Sequence, residues 1–142
     1  MAGILKISEA VSLALHASVL LASRDKPLSN RQIAKVLHAS EAHLHKVMRR
    51  LAGMKLVLSA PGPGGGFALA KPPKNITLLN VYEAIEGPLG ETKCLLTTPL
   101  CDGKACILGG LIHQTNQQVR NYLQNTNLAQ LAGIFKGVTI EP

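Results

Sequence analysis

The chain has 142 residues, 46% of them apolar but only 3% aromatic, and a formal net charge of +7. This length suits one compact domain with a protruding element, and an apolar content of mainly aliphatic side chains favours helix packing over a β-sandwich and excludes a disordered chain. The N-terminal apolar run contains Glu9 and His16 and is well short of the ~20 residues that span a bilayer. We therefore expect a cytoplasmic protein with no membrane segment.

Cationic side chains are concentrated in the first half of the chain. Residues 1–74 hold eleven lysines and arginines against three acidic side chains, whereas residues 75–142 hold four against five. Such an asymmetry points to a polyanionic partner such as nucleic acid, because cations that neutralise phosphates release condensed counterions. A well-solvated basic surface explains the charge alone about equally well.

Three helices are predicted at the start of the chain. Residues 8–23 form a nearly all-apolar helix capped by Ser8, residues 31–37 form a short second helix, and Ser40 caps a third helix over residues 41–57. Two short helices joined by a tight turn, the second of them basic, form a helix-turn-helix, whose second helix enters the major groove of DNA. The alternative is an ordinary helical hairpin with a solvated basic face.

Helical phase assigns the DNA-reading side chains of the third helix. The outward-facing residues at its start are Ser40, Ala42, His45, Lys46 and Arg49. Lys46 is suited to donate to the edge of a guanine, and His45 to an acceptor edge. We expect Arg31, Lys35 and Arg50 to contact phosphates, which position a protein on DNA without reading its sequence.

A glycine-rich hairpin is predicted next. The β-prone segments 56–60 and 66–70 flank the sequence PGPGGG, which is typical of a two-stranded wing with a glycine-rich tip. Gly62, Gly64 and Gly65 would let the backbone approach a phosphate or the minor groove closely. The motif matches neither common nucleotide-binding glycine pattern, so we expect no nucleotide site.

The second half of the chain is predicted to contain two more helices. Residues 78–87 form an amphipathic helix, and residues 107–126 form a long helix whose apolar stripe needs a partner, either the same stripe of a second copy or the first helix. The sequence thus predicts a mainly α winged helix-turn-helix protein in three parts. These are a DNA-binding domain (1–87), a cysteine loop (88–106), and a dimerisation helix with a tail (107–142).

All three cysteines, Cys94, Cys101 and Cys106, lie in the stretch CLLTTPLCDGKAC. An odd number of thiols cannot pair completely, and in a reducing compartment clustered cysteines bind metal more often than they form disulfides. Neither paired carboxylates nor a nucleophile beside a base appear with a recognisable spacing, so we do not expect an enzyme.

The order of these elements resembles a known family. The motifs GPGGGF at 62–67 and VYEAIEG at 81–87, together with the cysteine spacing, are similar to those of the IscR/NsrR-like bacterial winged-helix regulators, over residues 4 to about 130. The resemblance implies a homodimeric transcription factor that binds an operator in double-stranded DNA. It also implies a 2Fe-2S or 4Fe-4S iron-sulfur cluster, bound by the three cysteines, that senses iron, redox state or nitric oxide.

The fourth cluster ligand departs from the family's pattern. The resemblance implies a histidine shortly after the third cysteine or a carboxylate on the first helix, but no histidine closely follows Cys106, and Ser12 stands at the carboxylate position. We expect His16 of the other subunit to supply the ligand, with Glu9 and His113 as weaker candidates. A core histidine is the alternative role for His16.

The wing departs from the pattern at Pro61, where members that read the minor groove carry arginine. Proline provides neither a charge nor a donor. We therefore expect weaker minor-groove reading and a greater dependence on His45 and Lys46.

Two other functions are compatible with the sequence. Related regulators of cysteine metabolism lack the cysteines, so this chain could be a cluster-free regulator whose thiols form a redox switch or a zinc site. A small iron-sulfur electron carrier is the other alternative, and it would leave the basic first half of the chain without a role.

Overall fold

The computed structural model describes residues 5–90, 94–102 and 105–142. Residues 91–93 and 103–104 of the predicted cysteine loop therefore lie outside the described part. The described chain is mainly helical with one antiparallel hairpin, as the sequence predicted. The elements are α1 (Glu9–Ala22), α2 (Asn30–Leu37), α3 (Glu41–Gly53), β1 (Val57–Ala60), β2 (Gly66–Leu69), α4 (Leu78–Glu86), α5 (Leu111–Asn125) and α6 (Leu128–Leu131), with 3-10 turns at Pro73–Asn75 and Ala132–Phe135.

Helix α1 forms the centre of the core, which explains its almost entirely apolar sequence. It packs against α2, α3, α4, α6 and β2, and burial of each Leu-sized side chain contributes about 1.5–3 kcal/mol. The fully buried side chains include Val11, Ala14, Ala17, Leu20, Ile33, Leu44, Met48, Leu51, Val81 and Leu128. Among the described residues, no helix has both the length and the apolar content needed to cross a membrane.

Side-chain caps define where most of the helices begin. The capping oxygen of Ser8, Ser29, Ser40, Thr77 or Asn127 accepts a hydrogen bond from the backbone N–H three residues later. Each bond satisfies one donor that the first helical turn leaves unpaired. The sequence predicted the caps Ser8 and Ser40, and helices α1 to α4 begin at or within one residue of the predicted positions.

Helix α3 ends four residues before the predicted boundary at residue 57. Lys55 adopts a left-handed conformation (φ 61°), and the N–H of Leu56 donates to Leu51 O at 3.0 Å. This is a Schellman turn, which closes a helix by satisfying its last carbonyls. His38 (φ 51°) forms the same turn after α2 and thereby makes the tight corner of the helix-turn-helix.

The wing is held against the helical core by an isolated antiparallel β-bridge. Leu28 and Phe67 exchange two backbone hydrogen bonds of 3.0 and 2.7 Å. Gly66 (φ 142°) is required by this contact, because a Cβ there would lie 2.4 Å from the carbonyl oxygen of Leu28. A Cβ on Gly65 would lie 2.1 Å from the carbonyl oxygen of Ala60. Hairpin packing therefore explains these two glycines.

Helix α5 begins at Leu111 instead of residue 107, because Gly109 (φ 58°) directs the preceding residues through turns. Helix α5 contacts α4 but contains no fully buried side chain. Along its apolar stripe, Leu111 and Tyr122 remain 55% and 59% exposed. The stripe is therefore only partly covered in the single chain, where Ile112, Val119 and Leu123 are half-buried.

The C-terminal tail packs against the first half of the molecule. Backbone hydrogen bonds of 2.9 Å from Leu78 to Thr126 and from Leu128 to Ile76 place the starts of α4 and α6 side by side. Farther along, the guanidinium of Arg24 donates to the carbonyl oxygen of Phe135 at 2.9 Å. The sequence predicted only a short helix here, since these pairings join distant segments.

Candidate DNA-binding surface and cysteine loop

The predicted reading face of α3 is exposed. Leu44, Met48 and Leu51 of this helix are buried in the core, which turns the opposite face outward. The exposed residues of that face are Ser40, Ala42, His45, Lys46 and Arg49. The structure thus agrees with the helical phase, while contact of these side chains with DNA stays a prediction.

The wing contacts the reading face through one aromatic ring. The imidazole of His45 and the ring of Phe67 lie 6.4 Å apart between centroids, with planes inclined by 57°. Phe67 is buried on β2 and is fixed by its bonds to Leu28. The wing therefore limits where the His45 side chain can lie, a relationship that helical phase alone could not predict.

The three predicted phosphate contacts lie in different environments. Arg31 is exposed on α2 and has no hydrogen-bond or ion-pair partner within the described part of the chain. Lys35 forms an ion pair with the carboxylate of Glu141. Arg50 donates from Nη2 to the carbonyl oxygen of Ile85 at 2.5 Å. Of the three, Arg31 is therefore the one most available to a phosphate.

The tail approaches the helix-turn-helix at Glu141. Its backbone carbonyl accepts a hydrogen bond of 3.0 Å from Nε2 of Gln32, beside the ion pair with Lys35. The hydrogen bond from Lys35, and then its positive charge, lower the pKa of the Glu141 carboxyl below its ordinary value of 4.5. At neutral pH a negative charge consequently lies next to a predicted DNA contact.

The tip of the wing is open to solvent. Gly62 and Gly64 have φ angles of 87° and 75°, and among the described residues nothing lies within 4 Å of a Cβ built at either position. Their backbone is thus accessible to a DNA strand. Gly65, predicted to share this role, is already explained by its close approach to Ala60.

The three thiols of the cysteine loop open onto one cavity. None is in a disulfide; Cys94 is half-buried, while Cys101 and Cys106 are exposed. Together with Asp102 and His113 they line a cavity of about 440 Å³. Within the described ranges, no three His, Cys, Asp or Glu side chains are close enough together to hold a metal ion. Binding of a metal centre therefore requires these thiols to converge.

The surroundings of the thiols fit an iron-sulfur centre chemically. The N–H of Leu96 lies 3.4 Å from Cys94 Sγ, and that of Leu108 lies 3.5 Å from Cys106 Sγ. Hydrogen bonds to cysteine sulfur are among the features that tune an iron-sulfur cluster. A second cavity of about 260 Å³ is lined by the same cysteines and by Leu95, Leu96, Leu100, Ala105 and Ile107. Cysteine side chains in a partly apolar wall suit this kind of centre.

His16 lies on the exposed surface of α1 and is not a core residue. Its Nδ1 is 2.6 Å from the backbone oxygen of Ser12. A carbonyl oxygen can only accept, so Nδ1 donates in this contact and Nε2 is the ring nitrogen left for a ligand role in the neutral tautomer. His16 lines a separate cavity with Tyr122 and Phe135, whereas His113 lies on the cavity of the three cysteines.

A helix-turn-helix with an exposed basic reading face and an adjoining hairpin defines a winged-helix transcriptional regulator. Residues 7–133 match the model of the Rrf2 family, described as iron-dependent transcriptional regulators, and the chain belongs to this family. Membership of this family confirms the resemblance found in the sequence. It also confirms the expectation that the protein is a transcriptional regulator and not an enzyme.

Curated relatives support the same assignment. A protein of Aquifex aeolicus named an HTH-type transcriptional regulator is 33% identical over 131 residues, which cover 89% of this chain and 91% of that protein. IscR of Photobacterium profundum is 29% identical over 113 residues, covering 80% of this chain and 66% of IscR. The chain therefore spans about two thirds of that IscR.

Solved structures confirm the fold. CymR, described as the global cysteine regulator of B. subtilis, superposes with a TM-score of 0.77 and 26% identity, covering 92% of this chain and 98% of CymR. IscR of T. potens gives a TM-score of 0.72 at 19% identity, covering 98% and 95% of the two chains. At that identity the second likeness supports the fold alone.

Proposed function

We propose that the chain is a homodimeric DNA-binding regulator whose affinity for its operator depends on an iron-sulfur cluster held by Cys94, Cys101 and Cys106. The observation that carries the proposal is that the three thiols, in a chain of the Rrf2 family, share one cavity. The match to IscR supports the same choice of centre.

In this proposal α3 reads the major groove. Lys46, His45 and Arg49 contact base edges or nearby phosphates, and Arg31 and the wing backbone hold the DNA in register. Support comes from the exposure of the reading face and from the surplus of cations in residues 1–74.

The proposed dimer forms along α5. A helix whose apolar side chains Leu111 and Tyr122 remain more than half exposed is stabilised when a second copy covers them. A two-fold dimer also suits operators with two half-sites. The rest of the chain then presents two copies of α3 to one face of the DNA.

When bound, the cluster supplies an inorganic centre that responds to redox state, iron supply or nitric oxide. The chain's own residues hold the thiolates and donate N–H bonds to sulfur, next to leucine side chains that remain more than half exposed in the single chain. We propose that the partner subunit's His16 completes the ligand set through Nε2. His113 is the candidate within the same chain, because it lies on the cysteine cavity.

Anaerobic reconstitution tests the proposal. The wild-type protein is expected to take up iron and sulfide and to gain visible absorption, and each of Cys94→Ala, Cys101→Ala and Cys106→Ala is expected to lose most of it. Size measurement by light scattering checks the dimer in the same samples. Colourless wild-type protein without iron or sulfide would contradict the cluster.

A cluster-free regulator is the second candidate. The structural likeness to CymR, described as a global cysteine regulator, favours it, as does the exposure of the thiols of Cys101 and Cys106. The thiols would then form a disulfide switch or a zinc site. Metal analysis of protein purified without oxygen distinguishes the two, since this candidate predicts zinc or no metal. An electron carrier does not suit a family of transcriptional regulators.

A further inference from the structure

The C-terminal end of α4 is joined to the recognition helix by Arg50. In a longer helix Leu89 N–H would donate to Ile85 O, but here it donates to Glu83 Oε2 at 2.8 Å. The carbonyl of Ile85 accepts instead from Arg50 Nη2 at 2.5 Å. A cation that caps the last carbonyls of a helix also complements the helix dipole. Arg50 of α3 thus caps α4.

The same end of α4 is joined to the cysteine loop through Leu89. Its N–H is held by Glu83, and its carbonyl accepts a hydrogen bond from the guanidinium of Arg120 on α5. Leu89 lies five residues before Cys94, the first of the three thiols. The start of the loop is therefore clamped between α4 and α5.

We propose that Arg50 is a positioning residue that relays the state of the cysteine loop to α3, instead of a phosphate contact. The inference rests on the proposed function, and it names the residues that would couple the cysteine loop to α3. Movement of Leu89 changes the last turn of α4, and the carbonyl of Ile85 then draws or releases Arg50 and the helix that carries it. Hydrogen bonds at Leu89 and Ile85, joined through the last turn of α4, supply the physical connection, and coupling measurements decide whether it operates.

The first test compares Arg50→Met with Arg31→Met on a duplex that the wild-type protein selects from a random pool. A phosphate contact contributes about 0.9 to the slope of log affinity against log salt. We expect Arg31→Met to lower that slope by about this amount and Arg50→Met to leave it unchanged while altering affinity. A slope that falls equally in both variants would overturn the inference.

The second test is a double-mutant cycle between Arg50→Met and Arg120→Met, measured on protein without a cluster. Arg120 lies on α5, outside the predicted DNA-contacting elements, so any change in operator affinity must pass through the protein. We expect Arg120→Met to change affinity, and the double variant to match Arg50→Met within about twofold. Effects that multiply, or an Arg120→Met variant with wild-type affinity, would contradict the relay. Thermal unfolding verifies that each variant is folded.

The cycle separates failure of this inference from failure of the proposed function. If wild-type protein takes up no cluster, the proposed function fails, but the cycle still decides whether Arg50 and Arg120 are coupled. If the cluster forms and changes affinity, Arg50→Met is expected to reduce the ratio of operator affinities with and without the cluster to below about twofold. Typical allosteric couplings change affinity by about 5- to 150-fold. An unchanged ratio would overturn the relay alone.

Discussion

At the scale of single residues, the outward face of α3 was predictable, whereas the partners of the cations Lys35 and Arg50 were not. The face follows from helical phase, which a local pattern determines. Lys35 meets Glu141, and Arg50 meets Ile85, across sequence separations of 106 and 35 residues. No local pattern encodes such contacts, so the sequence predicted that both Lys35 and Arg50 would be available to phosphates.

We expect the Glu141 carboxylate, which pairs with Lys35, to compete with DNA for this side chain. Because an exposed ion pair is weak and screened by salt, we expect Glu141→Gln to raise DNA affinity only about two- to threefold at low salt and to steepen the salt dependence. Lys35→Gln provides the control, since in that background Glu141→Gln should have no effect. Equal affinity of Glu141→Gln and wild type below 50 mM salt, measured by fluorescence anisotropy, would refute the competition.

The pH dependence of that ion pair follows from the lowered pKa of Glu141. A carboxyl whose pKa is lower in the folded chain adds stability above its unfolded pKa and loses it as pH falls through the folded value. The pair is thus intact at neutral pH and is lost at acidic pH below 4.5, the ordinary value. NMR titration of the Glu141 side chain should give a midpoint below that of the Lys35→Gln variant.

The fourth cluster ligand is also decided by single residues. If the partner subunit's His16 is the ligand, we expect His16→Ala to shift the visible spectrum and reduction potential of the reconstituted protein, because histidine ligation raises the potential of a cluster. His113→Ala is the matched control and should leave both unchanged. Pulsed EPR of the reduced cluster gives an independent readout, since a coordinated imidazole couples nitrogen to the unpaired spin. The opposite pattern would assign the role to His113.

At the scale of elements, the hairpin and most helix boundaries followed from the sequence, and the two larger errors were the end of α3 and the start of α5. Ser40 was recognisable as a cap because its hydroxyl suits an unpaired N–H. The end of α3 depends on the left-handed backbone conformation of Lys55. Lysine has no preference for this conformation, so the sequence did not predict it. The wing glycines were noted for contact with DNA, but Gly65 and Gly66 also serve the packing of the hairpin.

Gly66 should be necessary for the wing to dock on the core. In Gly66→Ala the new Cβ meets the carbonyl of Leu28, and a positive φ is imposed on alanine, so we expect a loss of about 2 kcal/mol or more in the free energy of unfolding. Gly53→Ala is the control, because Gly53 ends α3 in open surroundings and alanine favours helix. Urea unfolding compares the two; equal stability would show that the wing tolerates a side chain.

At the scale of the whole molecule, the tail and α5 tie the cysteine loop to the DNA-binding unit. Leu128 of α6 is fully buried in the core shared by α1 and α4, and Arg120 of α5 holds the start of the loop. The sequence predicted the order of the parts. It could not predict how the start of α6 packs beside the start of α4, because pairing between residues 76–78 and 126–128 is nonlocal.

The measurement that tests the central claim most directly is the affinity of one selected duplex for the dimer with and without its cluster, at the same salt concentration and without oxygen. We expect the two affinities to differ by at least about fivefold, and the difference to vanish in Cys101→Ala. Equal affinities, in samples whose iron and sulfide contents establish that the cluster is bound in one and absent in the other, would contradict the account.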